Sequence, residues 1–194
     1  MRGFMTGCRV IVAALLMIAS TVAAAADTAA ESDKIKIGEF IPEAPPQPAP
    51  EISFATLDGK PLTFADFKGR FLVVNLWATW CHPCLKEMPS LARLQEKFGP
   101  VLTVLAVSED RGGAAVVAPF VAALDLGKIT IGLDPKSEAL HTFHARGLPT
   151  SLIIDGDGRV LGRVEGEADW TSDAMLAVLK KLMPAGLRAS LPGG

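Results

Sequence analysis

Residues 71–84 read Phe71-Leu72-Val73-Val74-Asn75-Leu76-Trp77-Ala78-Thr79-Trp80-Cys81-His82-Pro83-Cys84. The first seven form a nearly continuous apolar run, the pattern of a strand buried on both faces. After the cysteines, Leu85, Met88, Leu91, Leu94 and Phe98 recur at spacings of three and four, which predicts a helix over 85–98. Pro89 lies inside it and is expected to kink it, because proline offers no backbone donor. The two thiols therefore stand where a strand hands over to a helix. Residues i and i+3 of a first helical turn have Cβ atoms about 5–6 Å apart, close to the span a disulfide bridges with little backbone movement. Free N–H groups and the positive end of the macrodipole favour a thiolate at Cys81. Cys81 is thus expected to attack, and Cys84, one turn in, to remain a neutral thiol until it resolves the mixed disulfide.

Outward from this junction, 101–107 is a second buried strand, so strand, helix and strand read as a βαβ unit with parallel pairing. Upstream, 52–57 alternates, Asp58-Gly59 turns and 61–64 returns as a short hairpin. A helical turn closed by glycine follows over 65–69. Downstream of the βαβ unit, 108–113 reads as a loop, 114–126 as a helix, 129–133 as a short strand and about 137–145 as a helix. Residues 151–154, the turn Asp155-Gly156-Asp157-Gly158 and 159–164 form an antiparallel hairpin signal. A last helix is expected from near Asp169 to Leu182, stopped by Pro184.

Asn75 to Cys84, with Pro89 eight positions after the first cysteine and Gly147-Leu148-Pro149-Thr150 later, resembles the thioredoxin superfamily. Within it, the chain is most similar to the extracytoplasmic TlpA/ResA/CcmG-type thiol-disulfide oxidoreductases, over about residues 51–183. The resemblance implies an α/β, thioredoxin-like fold: a central mixed sheet flanked by helices, with an N-terminal β-hairpin and a central strand–helix insertion at 129–145. It implies that Pro149 is a cis-proline facing the cysteines. A cis X-Pro bond would leave the Leu148 backbone flat and exposed, able to pair with a client strand beside Cys81. It also implies a functional glutamate at Glu87, one turn beyond Cys84. A carboxylate there would disfavour the thiolates and carry a proton to or from Cys84. Periodicity alone leaves Glu87 equally a solvated helix-surface residue. Asn75 stands where plain thioredoxins have a buried aspartate, which leaves the proton handling to Glu87. Trp80, with His82 and Pro83 between the cysteines, is expected to meet the client, while Trp77 and Trp170 pack. A protonated His82 would favour the Cys81 thiolate and make the site more oxidising; it reads equally as an exposed, variable position.

The chain has 194 residues and a formal net charge of −2. Arg2 and Arg9 flank a short opening segment, 10–22 is almost wholly apolar, and Ala24-Ala25-Ala26 precedes Asp27. A cleaved signal peptide over 1–26 is expected. The alternative is an uncleaved membrane anchor, since 10–26 approaches the roughly 17-residue lower limit for a spanning helix. Either reading puts the rest in the periplasm, free or held at the inner membrane. Residues 27–50 contain Pro42, Pro45, Pro46, Pro48 and Pro50 and read as an extended Pro-rich tether. That leaves 51–184 as the domain and 185–194 as a flexible tail. Losing Arg2 and Arg9 takes 19 basic residues to 17 against 21 acidic, a net −4, which excludes a nucleic-acid partner. Losing Cys8 leaves Cys81 and Cys84 as the only thiols, so an exported chain carries one pair, placed for exchange.

The expected function is therefore a thiol-disulfide oxidoreductase that reduces client disulfides, with no cofactor beyond the redox-active Cys81–Cys84 disulfide and no metal. By resemblance the clients are apocytochrome c or copper-oxidase assembly cysteines, and a membrane thiol-electron transporter supplies the electrons. Two alternatives stand beside it. The thiolates would suit Cu(I) in a metallochaperone, although His141 and His144 bring no third ligand with them. A peroxiredoxin-like peroxidase wants threonine three before its cysteine and proline seven before; this chain has Ala78 and Val74. A haem-attachment motif would need histidine where Leu85 stands.

Overall fold

A computed structural model describes residues 38–189 apart from 100 and 125. The signal peptide, the first part of the tether and the last five residues of the tail lie outside the described residues. One eight-stranded mixed sheet organises the rest. Its strands are β1 (Phe40–Pro48), β2 (Ser53–Ala55), β3 (Pro61–Thr63), β4 (Phe71–Trp77), β5 (Leu102–Ser108), β6 (Thr130–Leu133), β7 (Thr150–Ile154) and β8 (Arg159–Glu165). They lie in the order β1-β8-β7-β4-β5-β6-β2-β3. The β4–β5 and β5–β6 pairs are parallel, and the remaining pairs are antiparallel.

Every residue of β4 and β5 is buried, as their continuous apolar runs demand of central strands covered on both faces. The period of two along β4 then sorts its side chains. Phe71, Val73 and Trp77 join Met88, Leu91, Leu94 and Phe98 of helix α1 (His82–Phe98) in one core layer. Leu72, Val74 and Leu76 join Phe54, Phe64, Leu152 and Phe143 in the other. Asn75 therefore falls on the α1 face, a polar residue in an apolar row. Helix α2 (Ala114–Ala123) sets Phe120 against Trp77 with ring centroids 6.0 Å apart, and helix α4 (Asp173–Leu182) adds Met175, Leu176 and Leu179 to the same layer.

The two expected hairpins form as read, and a 3-10 turn at Phe64–Phe67 is the expected helical turn after the first. The α1 helix continues through Pro89 and starts three residues earlier than its periodicity shows, because Cys81 caps it. Helix α3 (Glu138–Thr142) is shorter than 137–145: Ser137 and His144 hold φ of 55° and 50°, left-handed values that no helix continues through. Helix α4 starts at Asp173 because the Asp169 side chain accepts bonds from Thr171 and Ser172 supplies the cap. Part of the expected tail, Ala185–Ala189, forms a short helix α5.

The main correction concerns the tether. Phe40–Pro48 pairs antiparallel with β8 as an edge strand, with an irregularity between Pro42 and Gln47. Proline cannot donate to a ladder, so a proline-rich segment joins a sheet only at its edge, where the missing donors face outward. The same prolines that argue against a core strand thus also blunt the exposed edge. Gly162 fits this arrangement, since a Cβ there would overlap the Ile41 carbonyl oxygen and the Phe40 ring. The domain accordingly begins before residue 51.

Candidate active site: a dithiol at a helix start and two buried carboxyls

Cys81 is the N-cap of α1, and its Sγ accepts the Cys84 backbone N–H at 3.3 Å. The two cysteines are joined by a disulfide with Cα atoms 5.3 Å apart. The loop leading to it is fixed from the end of β5: Asp110 accepts from the Thr79 N–H (2.8 Å), the Thr79 hydroxyl (2.7 Å) and the Ser108 hydroxyl (2.8 Å). Nothing in the sequence marks Asp110 for this work, since a charged residue after a strand is the commonest kind of loop. Cys84 is wholly buried, Cys81 keeps 5% exposure and Trp80 is 72% exposed. His82 is exposed and Pro83 half-buried.

The Leu148–Pro149 bond is cis. Its loop is shaped by the Thr150 hydroxyl donating to the Gly147 carbonyl (2.7 Å) and by Gly166 N–H donating to the Pro149 carbonyl (2.9 Å). Leu148 is half-buried and lines an open groove of about 880 Å³ together with Trp80, Cys81, His82 and Pro83. The structure thus places Trp80, His82, Pro83 and Leu148 on one groove with Cys81, while Pro149, also nominated from the sequence, is buried beside Leu148 and does not line it.

Glu87 lies on the other side of the cysteines, buried to 2% exposure rather than solvated. Its Oε1 accepts from Asn75 Nδ2 (2.6 Å); its Oε2 accepts from the Ala168 N–H (3.0 Å) and Trp170 Nε1 (3.4 Å). Asn75 also donates to Ser151, directly opposite it on β7. Trp170, read from sequence as packing, therefore also binds the carboxyl. Burial pushes Glu87 from its ordinary 4.5 up to about 7, against the pull of these three donors and with the nearby Glu167 charge adding to the rise. Among the described residues no cation offsets the burial, and that is why the carboxyl titrates near neutral pH, where it can both give and take a proton.

A second buried carboxyl, Glu109, went unread in the loop after β5. Burial pushes it up to about 8; the charge of Asp134 adds to this and Ser137 eases it without reaching hydrogen-bond geometry. Between about pH 4.5 and 8 the folded protein keeps a proton that the unfolded chain has released, so this residue's contribution to stability falls as pH rises across that window. Glu109→Gln should therefore gain thermal stability over the wild type on going from pH 5 to pH 8, by several degrees. A Tm difference independent of pH would show that the carboxyl titrates normally.

This arrangement, a CxxC disulfide at a helix start facing a cis-proline loop on a mixed sheet, defines a thioredoxin-fold dithiol protein. The AhpC/TSA family model matches residues 45–162. The thiol-disulfide oxidoreductase ResA of Bacillus thuringiensis subsp. konkukian is 36% identical over 137 residues, covering 70% of this chain and 77% of ResA. Two solved structures are similar. One is a protein assigned as the thiol:disulfide interchange protein DsbE of Chlorobium tepidum: 26% identity, TM-score 0.61, 70% of this chain and 92% of that one. The other is the exposed lipoprotein thioredoxin Etrx1 of Streptococcus pneumoniae: 28% identity, TM-score 0.60, 69% and 100%. The chain belongs to the AhpC/TSA family, and within it is a thiol-disulfide oxidoreductase of the ResA/DsbE type. Among the described residues no helix is long and apolar enough to cross a membrane.

Proposed function

We propose that the protein is an extracytoplasmic reductant that opens disulfides in client proteins. The observation that carries this reading is the buried Glu87 carboxyl one turn from Cys84, which no cation among the described residues pairs with. A carboxylate beside the pair raises the cost of both thiolates, and a dithiol with poorly stabilised thiolates is a better donor of electrons than one with a stabilised thiolate.

In the reduced protein Cys81 attacks one sulfur of the client disulfide, the bond between the client sulfurs breaks, and one client thiolate leaves. The helix start supports the Cys81 thiolate, while the free Leu148 backbone aligns the client strand beside it. Glu87 then takes the proton from Cys84. The Cys84 thiolate attacks Cys81 Sγ, the mixed disulfide breaks, and the second client thiol departs. Two electrons have passed to the client, and the Cys81–Cys84 disulfide of the structure is the product. Trp80, His82 and Pro83 form the contact surface, apolar at Trp80 and Pro83 and polar at His82. No cofactor beyond the cysteine pair enters these steps. On the resemblance, the clients are apocytochrome c or copper-oxidase assembly cysteines in the periplasm, and a membrane thiol-electron transporter restores the dithiol.

The test is the reduction potential of the Cys81–Cys84 pair. A value below about −200 mV, toward the roughly −270 mV of thioredoxin, is expected. A value near about −120 mV would mark a disulfide donor, and stoichiometric copper on a pair that forms no reversible disulfide would mark a metal carrier.

A further inference from the structure

The groove holding Cys81 contains an acid that the thiol exchange does not use. Glu109 follows β5 directly and is held by its backbone N–H to the Trp77 carbonyl (2.8 Å). Its side chain is 5% exposed, and among the described residues neither carboxyl oxygen receives a hydrogen bond. It lines the same groove wall as Trp80, Cys81, Leu148 and Ser137. Its acidic neighbours differ from it in being satisfied. Asp110 is engaged by Thr79 and Ser108, and buried Asp134 accepts the Ala139 N–H at 2.7 Å. Arg111 and His82 are the other charged or titratable groups on this groove, and among the described residues no cation pairs with Glu109.

A buried carboxyl with no donor costs the fold free energy and is kept where something else completes it. Here the carboxyl oxygens are covered, but the residue lies against the groove that Leu148 also lines, and that groove is the side from which a donor would come. The Asp134 charge at the back of the site favours a cation over a neutral donor. We propose that Glu109 is a specificity residue for this reaction: its carboxyl receives a lysine or arginine side chain that the client carries beside the disulfide being reduced. The proposal rests on the oxidoreductase reading. A long, flexible basic side chain is the kind that reaches such a recess, its apolar stem lying against the groove wall. Ser137, held at φ 55° on the same groove, is the neighbour that would have to move to admit it. Because the resting carboxyl is protonated at neutral pH, the incoming cation takes the place of that proton, which goes to solvent.

Two cyclic disulfide peptides test this, identical except for lysine or norleucine next to the cysteine that is attacked. With the full-length reduced wild type, kcat/KM should favour the lysine peptide by about tenfold, the scale of a charge-assisted hydrogen bond. In Glu109→Gln the ratio of the two peptides should fall to about one. The wild type should also release a proton on binding the lysine peptide, read as a buffer-dependent calorimetric heat, and none on binding the norleucine peptide. A ratio near one in the wild type, an unchanged ratio in the variant, or equal proton release would each overturn the proposal. Wild type unable to reduce 2-hydroxyethyl disulfide would instead overturn the oxidoreductase reading itself.

Discussion

Cys84→Ser is expected to turn a catalyst into a trap. With Cys81 still capped onto the start of α1, its thiolate attacks a client disulfide as before. Position 84 then holds a hydroxyl that cannot break the resulting bond. Mixed disulfides should accumulate to stoichiometry and be visible as client-sized mass additions on Cys81 in a non-reducing gel or mass spectrum. Cys81→Ser should lose turnover to background and trap nothing, because Cys84 is wholly buried and no client sulfur reaches it. Equal trapping by the two variants would dismiss the roles assigned to the pair.

Glu87→Gln removes the buried proton acceptor while keeping its shape, so its effect belongs to charge and proton transfer. Client reduction near pH 7 should slow by about a hundredfold, the low end of what a positioned acid–base contributes. The pH–rate profile should also lose its limb near pH 7, where the carboxyl titrates. The sign of the accompanying change in the thiols is fixed. Above pH 7 the wild-type carboxylate is charged and repels a developing thiolate, so its removal should lower the thiol pKa values. Titrating the cysteines by alkylation rate in both proteins measures this, and an unchanged titration would remove Glu87 from the mechanism.

The parts of the site that sequence made legible are those whose signal is local. The CxxC spacing, the apolar runs of β4 and β5 and the two hairpins each declare themselves within about ten residues. Glu87 illustrates the opposite case. Its burial depends on the Ala168 N–H and on Trp170, more than eighty positions away, and no periodicity along α1 contains that information. Asn75 carried half the signal, a polar residue in an apolar strand, but its partner across the sheet at Ser151 becomes visible only with the β4–β7 register. The prolines of Phe40–Pro48 misled because composition reports what a segment cannot do inside a sheet and is silent on what it can do at the margin. Glu109 had no signal at all, being one acid among several charged residues in 108–113.

The edge strand β1 also fixes where the rest of the polypeptide leaves the domain. Gly38 N–H donates to the Glu165 carbonyl, Phe40 sits opposite Val164, and Val164, Ser151 and Asn75 follow in one row across the sheet. The chain thus enters at the latitude of the carboxyl–asparagine contact, on the pole where the cysteines and the Pro149 loop lie.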